Sequence, residues 1–360
     1  MNIGILTGGG DCPGLNAVIR GIVRKGIFHY DDRFLGFLEG WRGVLENHWV
    51  PLDLQSVAGI LPRGGTILRT SRTNPAKREG GLEQCIRNLE QHKVDALVAI
   101  GGDDTMSVAL KLCERGVKIV GCPKTIDNDL TGTDFCFGFD TAVTVATEAI
   151  DRVHSTAEAH NRAIVVEVMG RDSGWIAIYS GIAGGADVIL VPERPFDIDE
   201  VAERLKRRHG RGRYFSIIVV AEGAKFAETG QSGGPVVQNM GRDEFGHARL
   251  GGIGQVLARE IEKRTGFETR AVVLGHTQRG GSPTPFDRVL ATRFGTGAID
   301  LVHKGEFGMM VALQGTEIVS IPLAQALGET RTVDDQLIAV AESLQDPSQS
   351  GTQMTIRKAG

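Results

Sequence analysis

Gly101-Gly102-Asp103-Asp104-Thr105 and Pro123-Lys124-Thr125-Ile126-Asp127-Asn128-Asp129 are two acidic clusters, each placed directly after an apolar run. Ala96-Leu97-Val98-Ala99-Ile100 precedes the first and Val117-Lys118-Ile119-Val120-Gly121 the second, and both runs read as buried strands. Two such strands joined by a helix bring their acids together at the carboxyl edge of a parallel sheet, where open α/β sheets bind ligands. The glycines let backbone N–H groups approach an anion, and the carboxylates suit a divalent cation. A magnesium–phosphate ligand meets both conditions.

Strand-like and helical patterns alternate on either side of this region, which predicts an α/β fold. Asn2-Ile3-Gly4-Ile5-Leu6 reads as a strand, and Leu15, Val18, Ile19, Ile22 and Val23 fall at helical spacing. Between them, Gly8-Gly9-Gly10-Asp11-Cys12-Pro13-Gly14 has room for a phosphate at a helix N-terminus. The loop matches neither common phosphate-loop pattern, and a tight strand-to-helix turn explains it equally well. Arg63, Arg69, Arg72, Lys77 and Arg78 lie in or beside a glycine-containing loop, where guanidinium forks suit phosphate oxygens. Further strands are expected at 163–168, 187–191, 215–221 and 270–275. Residues 226–248 read as a long surface excursion, and the tail from about Ser343 as loosely ordered.

A chain of 360 residues accommodates two domains sharing a cleft. A net charge of −4 leaves no global basic field for nucleic acid, so any basic pocket has to be local. The five cysteines are odd in number and none has CxxC spacing, which points to a reducing compartment and away from zinc. The N-terminus has no signal-type pattern, and no apolar stretch approaches membrane length. A cytoplasmic protein is expected, with no membrane partner.

Within the acidic clusters, Asp103 is the candidate magnesium ligand, because this ion takes one or two carboxylates and completes its shell with water and phosphate. Asp127 is the candidate general base for an attacking hydroxyl. Asp129 would orient its loop or the metal's waters, and Thr125 would bond the transferring phosphoryl group. The loops Met169-Gly170-Arg171-Asp172-Ser173-Gly174-Trp175 and Leu274-Gly275-His276-Thr277-Gln278-Arg279-Gly280-Gly281 also follow predicted strands. With Arg162, they bring Arg162, Arg171, Arg270, His276 and Arg279 to strand termini, as a sugar phosphate would require. Glu222, at the end of another strand, suits sugar hydroxyls. His276 taken alone reads as well as a structural histidine.

In the same order along the chain, the Gly8–Asn16 loop, Gly101–Thr105, Pro123–Asp129, Met169-Gly170-Arg171 and Gly275–Gly281 resemble the 6-phosphofructokinase family. The resemblance spans roughly residues 1–320. It implies two αβα lobes with mainly parallel sheets and the active site in the cleft between them. It also implies magnesium-dependent phosphoryl transfer to the 1-hydroxyl of fructose 6-phosphate, giving fructose 1,6-bisphosphate. By the same resemblance, residues 1–138 with 252–303 form the donor and magnesium lobe. Residues 139–251 with 304–320 form the sugar-phosphate lobe, and 321–360 a C-terminal helix and tail. Carried over by motif, Gly9, Gly10, Arg72, Gly102, Asp104 and Thr105 touch the donor. Thr125, Asp127, Arg162, Met169, Gly170, Arg171, Glu222, Arg270, His276 and Arg279 touch the sugar phosphate. Asp127, Lys124, Thr125 and Arg171 serve catalysis. The residues resembling Arg162 and Arg270 come from a neighbouring subunit, so a homo-oligomer, dimer or tetramer, with composite active sites is implied.

The donor turns on Asp104 and Lys124. Members of the family that use ATP typically carry glycine at the first position and often at the second. A carboxylate at 104 would stand where the α-phosphate of ATP must pass, and two anions in contact in a poorly hydrated site repel strongly. Pyrophosphate has no third phosphate there, and Lys124 would stabilise charge on the departing phosphate. The expectation is pyrophosphate, with ATP as the alternative. Lipid and NAD kinases share the Gly-Gly-Asp-x-Thr pattern but should lack the Met-Gly-Arg and Gly-His-x-Gln-Arg loops. A non-catalytic sugar-phosphate-binding homologue would be expected to lose Asp103 or Asp127, and both are present.

Overall fold

The computed structural model describes residues 1–227, 234–235, 237–242 and 248–345. Most of the expected surface excursion and the tail beyond 345 lie outside the described residues. Two compact units divide the chain. The first holds Met1–Thr141 and Arg279–Thr330; the second holds Ala142–Gly241, Ala248–Gln278 and the chain from Arg331.

The first unit opens with β1 (Asn2–Thr7), α1 (Leu15–Tyr30), β2 (Arg33–Phe37), α2 (Trp41–Glu46), β3 (Trp49–Leu52) and α3 (Gly81–Gln91). It continues with β4 (Ala96–Gly101), α4 (Asp103–Cys113) and β5 (Ile119–Pro123). Helix α5 (Phe139–His160) then carries the chain into the second unit. There follow β6 (Ala163–Val168), α6 (Trp175–Ala183), β7 (Val188–Leu190), α7 (Ile198–Gly210) and β8 (Ser216–Ala221). Four short strands, β9 (Lys225–Phe226), β10 (Gly234–Pro235), β11 (Val237–Arg242) and β12 (Ala248–Leu250), pair as two ribbons. After α8 (Ile253–Thr265) and β13 (Thr269–Val273) the chain returns to the first unit. It adds α9 (Pro285–Lys304), β14 (Met309–Gln314), β15 (Glu317–Pro322) and α10 (Leu323–Ala326), and α11 (Asp335–Gln345) closes the second unit.

The first unit is built on a seven-stranded sheet in the order β15-β14-β5-β4-β1-β2-β3. Its central pairings are parallel, and both edge pairs are antiparallel. Every residue of β4 and β5 is buried, as expected of strands covered on both faces. On one face Leu97 and Ala99 join Trp41, Leu89, Met106 and Leu112 in a single apolar cluster. On the other, α1 and α9 cross so closely that a Cβ at Gly295 would lie 2.5 Å from the carbonyl oxygen of Val18.

The second unit's main sheet has four strands in the order β13-β6-β8-β7, all parallel. Ala163 pairs with Ser216 and with Thr269, so the strand starts line up at one edge and the strand ends at the other. At about 3.3 Å per residue, six residues of β6 separate those edges by roughly 20 Å.

The domain boundaries differ from the sequence-based division. Residues 304–320 were expected with the sugar-binding lobe, yet β14 pairs with β5 and β15 with β14, which puts them in the first unit. Residues 252–278 were expected with the donor lobe, yet β13 pairs with β6, and α8 packs on that strand pair. Of the segment expected as a separate C-terminal piece, 321–330 finishes the first unit through α10, and α11 belongs to the second. Strand pairing between distant segments decides these memberships, and the periodicity of each segment alone does not encode it.

Asp287 ties α9 to the start of α5 within the first unit. Its Oδ2 accepts hydrogen bonds from the Thr141 backbone N–H (2.8 Å) and from the Thr141 hydroxyl (2.5 Å). The carboxyl is wholly buried, and burial pushes its pKa up to about 6. The native state therefore holds a proton that the unfolded chain releases near pH 4, so stability falls as pH rises from about 4 to about 6, by at most about 3 kcal/mol. Asp287→Asn should flatten that slope, measured by urea unfolding at pH 4.5 and pH 7. An unchanged slope would assign the titration to another group.

Candidate active site

In the first unit, β4 ends at Gly101, and Gly102 caps α4, whose first turn is Asp103, Asp104 and Thr105. Acids in this turn meet the positive end of the helix dipole. Glycine is required around Thr105, because a Cβ at Gly8 or Gly101 would lie 2.5 or 2.3 Å from its side chain. Beside it, the Gly9 N–H donates to the Ser71 carbonyl (3.3 Å), and the Thr70 hydroxyl donates to the Gly9 carbonyl (2.6 Å). Ser71 leads directly to Arg72, which is exposed. Asn16, not singled out in the sequence, holds the basic loop from below. It is buried, donates to the carbonyls of Arg63 and Gly64 (3.0 and 3.2 Å) and accepts from the Ile67 N–H (2.8 Å).

Lys124 follows β5, and its N–H donates to the Gly101 carbonyl (2.9 Å). Its side chain is buried, and Nζ donates to the Gly10 carbonyl at 2.5 Å. Burial lowers the ammonium's pKa and the nearby Arg279 lowers it further, against Cys12, Asp103 and Asp11, which raise it. Arg279 Nη1 donates to the Asp11 carbonyl (3.1 Å), and the guanidinium stands 2.7 Å from where a Cβ on Gly10 would project. Two cations therefore back the Gly9–Asp11 loop. Arg279, expected from its motif to touch the sugar phosphate, thus packs on the backbone of the Gly9–Asp11 loop.

The turn after Lys124 gathers the acids. The Thr125 hydroxyl donates to Asp129 Oδ1 (3.0 Å) and accepts from the Asp127 N–H (3.1 Å). Asn128 has a left-handed backbone (φ 53°) and a buried side chain. Its Oδ1 accepts from the Cys136 N–H (2.9 Å) and its Nδ2 donates to the Asp134 carbonyl (3.2 Å), which braces the turn. Burial, then the charges of Asp127 and Asp103, pushes Asp129 up to about 7. Asp103, Asp104, Ser107, Asp129 and Leu130 line a half-open cavity of about 240 Å³, with residues 326–330 completing its wall.

Magnesium suits this arrangement. Carboxylates that destabilise one another are relieved by a hard dication, and oxygen is its ligand of choice. Among the described residues, no three acidic, histidine or cysteine side chains converge to hold an ion by themselves.

In the second unit, Met169, Gly170 and Arg171 follow β6, Glu222 follows β8 and His276 follows β13. All five stand at the carboxyl edge of the four-stranded sheet. The Gly223 N–H donates to the Gly170 carbonyl (3.0 Å), and a Cβ at Gly223 would lie 1.8 Å from the Arg171 carbonyl oxygen, so the two loops touch backbone to backbone. Arg171 Nη1 is buried with no hydrogen-bond partner among the described residues. Glu167, a buried charge inside β6, was also missed. Its carboxylate accepts from the Gly252 and Gly254 N–H groups (3.0 and 2.8 Å) at the N-terminus of α8. A single acid within an otherwise apolar strand was its only signal in the sequence.

Arg162 and Arg270 are elsewhere. Arg162 immediately precedes β6 and Arg270 is the second residue of β13, so both stand at the opposite, amino edge of the sheet. Both bind Oε1 of Glu268, Arg162 at 2.8 Å and Arg270 at 2.5 Å.

Residues 2–302 match the family described as phosphofructokinase. A pyrophosphate–fructose 6-phosphate 1-phosphotransferase of Amycolatopsis methanolica is 58% identical over 342 residues, covering 95% of this chain and 99% of the relative. ATP-dependent 6-phosphofructokinase 3 of Streptomyces coelicolor is 52% identical over 342 residues, with the same coverage of both chains. A solved pyrophosphate-dependent phosphofructokinase from Nitrosospira multiformis superposes with a TM-score of 0.82 at 19% identity, covering 100% of this chain and 94% of that one, and this likeness bears on the fold. The chain belongs to the phosphofructokinase family.

Asn128→Ala would leave the Cys136 N–H without its acceptor and free the turn that carries Asp127. The expected loss is about 1–3 kcal/mol of folding stability, read by chemical denaturation. Stability equal to that of the unmodified protein would show the brace to be dispensable.

Proposed function

We propose that this protein transfers a phosphoryl group from pyrophosphate to the 1-hydroxyl of fructose 6-phosphate, releasing phosphate and fructose 1,6-bisphosphate, as a reversible step of glycolysis and gluconeogenesis. The observation that carries the choice of donor is the pair Asp104 and Lys124. Asp104 puts a carboxylate in the first turn of α4, and Lys124 seats a buried ammonium against the carbonyl of Gly10. A nucleotide would have to bring an additional phosphate and a nucleoside past that carboxylate, whereas a diphosphate need not. The pyrophosphate-named relative at 58% identity agrees with this choice. The ATP-named relative at 52% keeps ATP as the competing reading.

On this reading Asp127 accepts the proton of the 1-hydroxyl as its oxygen attacks the terminal phosphorus of the donor, and the bridging P–O bond breaks. Charge gathers on the departing phosphate, where Lys124 and the N–H groups of the Gly9–Gly10 and Gly102–Thr105 loops stabilise it. Thr125 would turn its hydroxyl from Asp129 to the phosphoryl group in transit, and Arg171 would neutralise it. Asp103 would hold magnesium, which supplies charge neutralisation of the donor oxygens when bound. Met169, Gly170, Glu222 and His276 would position the sugar. Arg279 would serve the donor loop as well as, or in place of, the sugar phosphate.

Arg162 and Arg270 would take the 6-phosphate in a neighbouring subunit, because roughly 20 Å of strand separates them from Arg171 in their own sheet. The working form is then a homo-oligomer. All five cysteines are free, and Cys12, Cys85, Cys122 and Cys136 are buried, which supports the cytoplasm as the site of action. Among the described residues, no helix is long and apolar enough to cross a membrane.

Turnover measured side by side with magnesium, fructose 6-phosphate and either donor tests the reading. Pyrophosphate should support the faster rate, and faster turnover with ATP would overturn the donor assignment. Asp127→Asn should lower turnover by about 10²–10⁴-fold with either donor. Asp104→Gly combined with Lys124→Gly should raise the rate with ATP and depress that with pyrophosphate.

A further inference from the structure

Arg162 and Arg270 present an unusual geometry. One carboxylate oxygen, Glu268 Oε1, serves both guanidiniums, at 2.8 and 2.5 Å. Two cations drawn to a single oxygen repel each other, so the carboxylate is what keeps them together. It does not exhaust their donors. Arg162 Nε is buried and has no hydrogen-bond partner among the described residues. Arg270 turns Nη1 to the Thr269 carbonyl (3.0 Å), and the same Nη1 stands 3.9 Å from Glu262 Oε2. Glu268 itself is held ionised, its pKa lowered first by the hydrogen bond from Arg162. Its side chain is 40% exposed, so it is free to swing outward.

We propose that Glu268 is a displaceable counter-ion: it occupies the place of the sugar's phosphate between Arg162 and Arg270, holds the pair ready, and is expelled when a dianionic phosphate monoester binds. The inference rests on the reading above, that these two arginines take the 6-phosphate. A phosphate brings three oxygens and nearly two charges where the carboxylate brings two oxygens and one, so it can satisfy both forks at once. Expelling the carboxylate sets a threshold that weakly charged or singly charged anions fail to pass. Glu268 is thus a positioning residue that tunes affinity and selectivity without touching the sugar.

The test is calorimetric titration of the full-length protein with fructose 6-phosphate and with inorganic phosphate. It compares the unmodified chain with Glu268→Gln, Glu268→Asp, Arg162→Ala and the Arg162→Ala/Glu268→Gln double variant. Loss of one partly exposed ion pair corresponds to roughly fivefold, so Glu268→Gln should tighten fructose 6-phosphate binding by about that factor. Inorganic phosphate should gain at least as much, which narrows the preference for the sugar phosphate. The KM for fructose 6-phosphate should fall while the KM for pyrophosphate stays where it was, a split that a merely structural role would not produce. In the Arg162→Ala background the gain should vanish.

Unchanged or weakened binding in Glu268→Gln overturns the proposal. If that variant does not fold, Glu268→Asp carries the test: its charge is withdrawn by one methylene, about twofold tightening is expected, and no tightening overturns the proposal. If Arg162→Ala by itself leaves fructose 6-phosphate affinity intact, the assignment of the arginines to the phosphate falls, and the counter-ion with it.

Discussion

The site depends on mutual repulsion held in place. Gly101 and Pro123 pair across β4 and β5, so the two acidic clusters emerge side by side from adjacent parallel strands. Burial first, and then the charges of Asp127 and Asp103, drive Asp129 up to about 7 at this edge. Such a cluster costs stability wherever it occurs. It persists because the strands that carry it are wholly buried and paired on both sides, and because Asn128 pins the turn from behind. A dication and a phosphate donor are the chemical complement of that stored repulsion.

The same edge also carries excess positive charge a few ångströms away. Lys124 and Arg279 are both directed at the backbone of Gly10 and Asp11, and burial works against the ammonium's charge. Cations facing carbonyl oxygens in a dehydrated loop are only half satisfied, and an oxyanion arriving at the glycines completes them. On the proposed reading the acids are the metal's side and the glycine loop the phosphate's side. Asp104 lies on the first turn of α4 and lines the same cavity as Asp103 and Asp129.

Much of this was legible in the sequence. Strands β4 and β5 announce themselves as uninterrupted apolar runs ended by Gly101 and Pro123, and the acids at their ends could only share an edge if the strands were parallel neighbours. The loops after β6 and β13 were found in the same way. The supports were not legible. Asn16, Asn128 and Glu167 act through hydrogen bonds to segments up to 87 residues away, and no local pattern marks a buried asparagine as a brace. Strand β14 joins β5 from almost two hundred residues downstream, so the unit boundaries follow pairing that no window of sequence contains. Arg279 sits in a motif with His276 and Gln278, yet the division between the units falls at its own N-terminal side, and it packs on the loop of Gly10.

Sheet polarity decides which of the arginines share an edge. Arg162 and Arg171 are nine positions apart in the chain, a separation that a hairpin-like turn could fold into contact. Here six of those positions are strand, and a strand is the most extended form the chain adopts, so the two guanidiniums face opposite edges of one sheet. Arg270 enters β13 in register with β6 and is fixed at the same amino edge as Arg162, while His276 leaves at the carboxyl edge with Arg171. No rotation of side chains bridges roughly 20 Å. If both sets of residues serve one sugar phosphate, they do so from two copies of the chain. The exposure of Arg270, 55% in this single chain, is then the exposure of a surface that assembly would cover. An arginine pair waiting on such a surface needs a counter-ion of its own until the partner delivers the substrate, and Glu268, two residues before Arg270, is placed to be that counter-ion.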